Sequence, residues 1–290
     1  MYYDTLYLTA GGVHGYSILG AVSVLEQVGL IKNLKKIIGI SVGSLISLLL
    51  ILKFSTSEIF KVFKSRDIED IYFNSQLNNT NLILNLMNNL GANNGNGISR
   101  LLQLFLASRN LDINLTFKDL YEYNNIELVI IASNITDGKL KYFSHKLTPD
   151  CSVLIAIKAS CAIPFIFNPV IYENNVLIDG AFFDVDTNTV VDDKTLTIRL
   201  SSDKNDNLDL QDINIFQYFR VLFDYMRKFE HNDDKAHTIK LVFKTGGINF
   251  NLSKDDKQSM FNYGVCETLN FVKYKRRLKY IFDILKDIKR

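Results

Sequence analysis

Between Thr5 and Leu52 the chain twice passes from a short β-type run into an apolar helical stretch, with glycine at both junctions. Thr5-Leu6-Tyr7-Leu8-Thr9 ends at Ala10-Gly11-Gly12. From His14 to Val28, Ile18, Ala21, Val22, Leu25 and Val28 recur at helical spacing, and Gly29 supplies a stop. Lys36-Ile37-Ile38-Gly39-Ile40 is a second strand, and Ser41 leads directly into an apolar helix from about Val42. Strand, glycine turn, helix, strand, sharp turn, helix is the order that builds a parallel sheet with crossover helices. An α/β class with a mainly parallel central sheet is therefore expected.

Further punctuation carries this reading along the chain. Ser55-Thr56-Ser57-Glu58 is a capping box that opens a helix, and Thr116-Phe117-Lys118-Asp119 starts another. Asn74 to Gly97 is rich in Asn and Gly, which predicts a loop, either a surface insertion or a lid around Leu82, Ile83, Leu84, Leu86 and Met87. Ile126 to Ala132 is a buried strand, and Asp137-Gly138 turns the chain into Lys139–Phe143. Val153 to Ala159 reads as a helix stopped by Pro164, and Val170–Tyr172 and Val176–Ile178 form a hairpin across Glu173-Asn174-Asn175. Strands at Thr195–Leu200 and Thr238–Phe243 follow, with helices around Phe216 to Phe229 and Ser253 to Ile288. No linker or repeat interrupts residues 1–290, so one domain is expected, ending in a helical region over 253–290.

Composition excludes some classes. With 47% apolar and 22% charged residues the chain suits a globular fold. A net charge of +2 gives no electrostatic reason to bind nucleic acid. Cys151, Cys161 and Cys266 lack pair spacing and read as buried or free thiols in a reducing compartment. The first residues have no basic n-region or apolar h-region, and the longest apolar run, Leu45 to Leu52, is too short to span a bilayer. A cytoplasmic, non-secreted protein is the expectation.

Gly39-Ile40-Ser41-Val42-Gly43 matches Gly-x-Ser-x-Gly between a strand and a helix, the context in which that motif carries a nucleophile. The sharp turn lifts the serine oxygen out of the sheet, close to the free amides of a helix N-terminus. A hydrolytic serine also needs a proton acceptor and an oxyanion site. Of the four histidines, His14 lies in the glycine turn, His145 follows a hairpin strand, His231 sits in a charged stretch and His237 precedes a strand. None lies in a loop resembling a triad base. A phosphate-binding glycine loop is excluded by the missing Gly-Lys-Ser/Thr ending and by Lys35 and Lys36, which stand where an acidic residue would be needed.

Four segments together resemble the patatin-like phospholipases. Leu8-Thr9-Ala10-Gly11-Gly12-Val13-His14-Gly15 looks like that family's glycine-rich oxyanion loop, and residues 39–43 match its nucleophile elbow. Ala159-Ser160-Cys161-Ala162-Ile163-Pro164 resembles its Ala-Ser-x-Ala-x-Pro segment, and Asp179-Gly180-Ala181 its Asp-Gly-Gly/Ala motif. The likeness covers about residues 5 to 190 in the right order. It implies a three-layer α/β/α fold and a Ser-Asp dyad, with Ser41 as nucleophile and Asp179 as general base. Gly11 and Gly12 would be the oxyanion donors, supported by His14, Gly15, Gly39, Gly43 and Gly180, with no cofactor or metal. Two departures stand out. Ala10 replaces the loop's first glycine, which costs little if its φ is negative, and His14 replaces a permanent cation with a titratable group.

The implied substrates are membrane phospholipids or other acyl lipids. Phe165, Ile166 and Phe167 are candidate groove residues. Phe271, Tyr274, Leu278, Ile281, Phe282, Leu285 and Ile288 share a helical face beside many Lys and Arg residues, the pattern of a terminal helix packed on the core with a solvated charged face or of a peripheral membrane contact through 271–290. Two rival expectations remain: a catalytically impaired family member that binds lipid or protein, and a histidine-dependent esterase.

Overall fold

The computed structural model describes residues 2–65, 79–183, 191–202, 237–243 and 252–288. Its strands are β1 (Thr5–Leu8), β2 (Lys36–Ile40), β3 (Gly91–Asn93), β4 (Glu127–Asn134), β5 (Lys139–Phe143), β6 (Phe165–Phe167), β7 (Val170–Tyr172), β8 (Asn175–Asp179), β9 (Thr195–Ser202) and β10 (Thr238–Phe243). The helices are α1 (Gly15–Gln27), α2 (Val42–Ile51), α3 (Thr56–Ser65), α4 (Asn79–Asn89), α5 (Asn96–Ala107), α6 (Phe117–Asn124), α7 (Val153–Ser160) and α8 (Lys254–Ile288).

Among the described residues the central sheet runs β10-β9-β1-β2-β4-β8-β7, with β5 also paired to β4. The first five strands are mutually parallel, while β8, β7 and β5 join antiparallel. Helices lie on both sides of the sheet, as the α/β expectation required. A strand enclosed on both faces must be apolar throughout, and β1 is fully buried along its length. Alternate side chains then divide between two cores. Leu6, Leu8, Ile37, Leu128, Ile130, Leu196 and Ile198 join the main core with α1 and α2. Tyr7, Ile38, Ile40 and Ile131 turn to the other face, where Ala181 packs with them.

Local signals ended most elements where the sequence predicts. Gly29, at φ 69, closes α1, with Leu30 N–H donating to Leu25 O and Gly29 N–H to Glu26 O. Glu58 accepts from Ser55 N–H at 2.8 Å while its own N–H donates to Ser55 Oγ at 3.2 Å, forming the capping box of α3. Thr116 and Asp119 do the same for α6. Glu173 and Asn174 take left-handed φ in the two-residue turn between β7 and β8.

The loop expected over 74–97 is replaced, in its described part, by α4, β3 and the start of α5. Asparagine favours turns, but the leucines and Met87 between the asparagines favour helix. β3 then pairs parallel with β6, bringing Gly91 opposite Phe165. The helix expected around Phe216 to Phe229 lies outside the described residues. So do the α8 side chains from Leu278 onward.

α8 packs along α1. Gly264, Thr268, Phe271 and Val272 are buried, at i, i+4, i+7 and i+8, while Tyr274 is exposed. Close approach sets this seam. A Cβ at Gly264 would collide with the Ser17 carbonyl, and one at Gly20 with the Phe261 carbonyl. Ser17 Oγ spans the gap, donating to Met260 O at 2.7 Å.

Candidate active site

Ser41 sits between the end of β2 and the first turn of α2, with φ 54 and ψ −126. Non-glycine residues seldom hold that backbone, and such strain persists only where surrounding contacts over-determine it. Here they do. Ser41 N–H donates to Ser160 Oγ at 2.9 Å, and Ser160 Oγ donates onward to Ile131 O at 2.7 Å. Ser44 grips the other side, its N–H and Oγ donating to Ser41 O at 2.8 and 2.6 Å. The flanking glycines serve close approach. A Cβ at Gly39 would lie 2.5 Å from Ser44 Cα, and one at Gly43 would strike the carbonyls of Leu8 and Thr9.

Asp179 reaches the same neighbourhood through the sheet. Ile40 is registered on Ile131 in β4, and the next β4 residue, Ala132, is registered on Asp179 in β8. Ser41, the residue after Ile40, and Asp179 therefore lie on either side of β4, about two strand spacings or ~10 Å apart across the sheet. The segment after α7 closes the gap between them. Ala162 O accepts from Asp179 N–H at 2.9 Å, and Ser160 O accepts from Gly180 N–H at 3.3 Å. Cys161 lies between these anchors, its thiol 3.9 Å from Ser44 Oγ. Burial, reinforced by the negative charge of Asp179, pushes the Cys161 thiol up far above its ordinary value, so it stays protonated. Asp179 itself is buried, with Oδ1 accepting from Ala181 N–H at 2.8 Å. Gly180 lets this turn pass directly over the Ile131 carbonyl.

The glycine loop borders the elbow. Leu8 is registered on Gly39, and Gly15 packs against Val42, where a Cβ would fall 2.5 Å from Val42 Cγ2. Gly12 has φ 55, which a side chain would strain. Among the described residues no hydrogen bond is made by the amides of Gly11 and Gly12, which leaves them available as donors. Ala10 is not among the residues with left-handed backbone, so its methyl costs the loop little. His14 is buried, and its ring stacks on Phe243 at 3.8 Å. Since β10 lies beyond β1 and β9, that contact turns the imidazole to the side of Ser41 opposite Asp179.

The other histidines do not gather here. His145 stacks on Tyr121 at 3.7 Å and faces Glu127 at the start of β4; burial holds its pKa low. His237 precedes β10 and packs edge-on against Tyr3, at the start of the parallel strands. Both therefore sit at the end of the sheet away from Ser41, and His231 lies outside the described residues. Of the groove candidates, Ile166 and Phe167 are buried core, while Phe165 is exposed. The sequence marks Ser160 only as part of a resemblance and assigns it no role. A buried serine at the end of an apolar helix was the available signal, because its hydroxyl must find partners.

A strained serine elbow at the carboxyl end of a central parallel strand, beside a glycine loop and a buried aspartate, defines an α/β hydrolytic class. Residues 6–190 match the family described as patatin-like phospholipase, and the chain belongs to that family, an enzyme of the lipid acyl hydrolase class. It is 30% identical over 273 residues to the probable lipid hydrolase 463L of invertebrate iridescent virus 6, covering 91% of this chain and 87% of that one. It is 25% identical over 281 residues to protein R571 of Acanthamoeba polyphaga mimivirus, covering 90% of each. Among solved structures, VipD from Legionella pneumophila superposes with a TM-score of 0.65 at 17% identity, over 95% of this chain and 67% of that one, a likeness of fold.

Proposed function

We propose that this chain hydrolyses the carboxylic esters of glycerophospholipids through an acyl-enzyme on Ser41, with Asp179 as general base. The observation that carries the reading is the register: Ser41 and Asp179 lie on either side of β4, stitched together by residues 160–162. Asp179 takes the hydroxyl proton as Ser41 Oγ bonds to the ester carbon. The carbonyl oxygen gains negative charge and faces the amides of Gly11 and Gly12, with Val42 at the first turn of α2 as a third donor. Collapse of the intermediate expels the lipid alcohol, which takes the proton from Asp179. A water molecule then repeats the sequence and frees the fatty acid. A carboxylate is ordinarily a weak base for this task, so the reading leans on the glycine-loop amides to favour the charged intermediate.

Contact with anionic membrane through residues 271–290 belongs to the same proposal. Lys273, Arg276 and Arg277 are exposed, which favours it. The rival reading of an impaired binding module rests on Ala10 and His14, and the backbone of Ala10 removes half of that case.

The test is labelling by a fluorophosphonate together with phospholipid hydrolysis by wild type, Ser41→Ala and Asp179→Asn. Asparagine retains the acceptor for Ala181 N–H, so Asp179→Asn is expected to fold normally and lose turnover. Hydrolysis by Ser41→Ala at the wild-type rate refutes the proposal, since loss of a nucleophile costs on the order of 10⁶ in rate.

A further inference from the structure

Leu84, Met87, Leu90 and Phe165 are exposed by 50, 75, 62 and 45%, well above what large apolar side chains usually show. They come from two segments joined by one small ladder. Leu84 and Met87 are three residues apart on α4 and so are neighbours on its surface. Leu90 follows α4, and the next residue, Gly91, is registered on Phe165. Leu90 and Phe165 both hold left-handed backbone, with φ 59 and 65, where bulky residues are uncommon. Burial does not explain that conformation, since both side chains reach solvent.

Charge is missing from both segments. From Ile71 to Ser99 there is no Asp, Glu, Lys, Arg or His, and from Ala159 to Tyr172 there is none either. In a chain that is 22% charged, a stretch as long as the first should carry about six such residues. A surface built to meet a protein or an anionic membrane gains from complementary charge. One that enters the headgroup region of a neutral bilayer gains from having none, because a buried charge there is costly.

The place fits as well. Phe165 is three residues from Ala162, whose carbonyl holds Asp179 N–H, so the chain limits their separation to about 11 Å. We propose that this charge-free ridge, centred on Leu84, Met87, Leu90 and Phe165, seats the enzyme on zwitterionic phospholipid surfaces beside the Ser41–Asp179 site. The inference rests on the lipid-hydrolase reading above, and it is distinct from anionic contact through the terminal helix.

The chain has no tryptophan, so Met87→Trp creates a single indole reporter. Its emission is expected to shift to the blue on pure phosphatidylcholine vesicles, equally at about 50 and about 500 mM salt, since no charge pair is there to be screened. Leu84→Asp with Met87→Asp is expected to weaken co-sedimentation with those vesicles by about tenfold or more. Hydrolysis of a soluble short-chain ester should stay at the wild-type rate. Leu84→Ser with Met87→Ser is a milder pair that should show the same trend. Absence of the blue shift overturns the proposal. So does binding that needs anionic lipid and vanishes in high salt, or a dimer that both serine substitutions dissolve without any vesicle binding. Failure of the wild type to cleave the soluble ester would instead overturn the Ser41–Asp179 reading, while vesicle binding would still report on the ridge.

Discussion

The backbone of Ser41 makes a stability prediction opposite in sign to the effect on catalysis. At φ 54 and ψ −126 the residue occupies a region that suits glycine, and holding a side chain there costs about 1–3 kcal/mol. Ser41→Gly removes that strain but loosens the unfolded chain, which offsets about 0.4–1 kcal/mol. The net gain expected is about 0.5–2 kcal/mol, or a rise of about 1–3 °C in Tm for a chain of this size. Ser41→Ala keeps Cβ and therefore keeps the strain, so its Tm should stay close to the wild-type value. Thermal melts of the three proteins, with ester hydrolysis measured in parallel, separate the two effects. Both variants should be inactive, and only the glycine variant should be more stable. A Ser41→Gly protein melting at or below Ser41→Ala would refute the claim that the elbow stores strain.

Ser160→Ala strips partners from two buried groups, Ser41 N–H and Ile131 O, and should lower stability by about 2–4 kcal/mol in chemical denaturation. Turnover should fall more than KM rises, because the elbow loses its brace. In native protein a thiol reagent should modify Cys266 alone, with Cys151 and Cys161 reacting only on unfolding. The raised Cys161 thiol also sets a pH dependence. Above the ordinary thiol value of 9.0 the unfolded chain releases a proton that the folded site retains, so stability falls as pH rises. Cys161→Ala should reduce that alkaline slope by up to about 1.4 kcal/mol per pH unit. Gly264→Ala places a methyl against the Ser17 carbonyl, which cannot rotate away as a side chain would, and should cost about 1–3 kcal/mol or more. A variant as stable as wild type would mean that α1 and α8 do not cross there.

Much of the framework was legible because it rests on short-range physics. The capping boxes at Ser55–Glu58 and Thr116–Asp119, the stop at Gly29 and the turn at Glu173-Asn174 each depend on contacts spanning a few residues. The same holds for the elbow, since Gly39 and Gly43 report directly how close α2 must come to β2 and β1. Readings failed where local preference and distant packing competed. The asparagines between Asn79 and Asn89 suggested a loop, yet the leucines among them were enough for a helix that ends in a strand pairing with Phe165–Phe167. Tyr274 shares the apolar face of 271–290 with Phe271, but the glycine contact with α1 buries Phe271 and Val272 and leaves Tyr274 exposed.

By itself, then, the sequence determined the chemical parts and their local geometry: a serine on a tight turn, a glycine loop, and an aspartate at the end of a hairpin. Only the tertiary structure decided that one segment, residues 160–162, anchors both the Ser41 elbow and the Asp179 turn. That outcome depends on β4 lying between β2 and β8 and on one residue of register. It also needs Ser160, distant in sequence from Ser41, to satisfy its buried amide. Strand order and buried hydrogen-bond partners are settled by burial summed over the whole sheet, which no window of neighbouring residues contains.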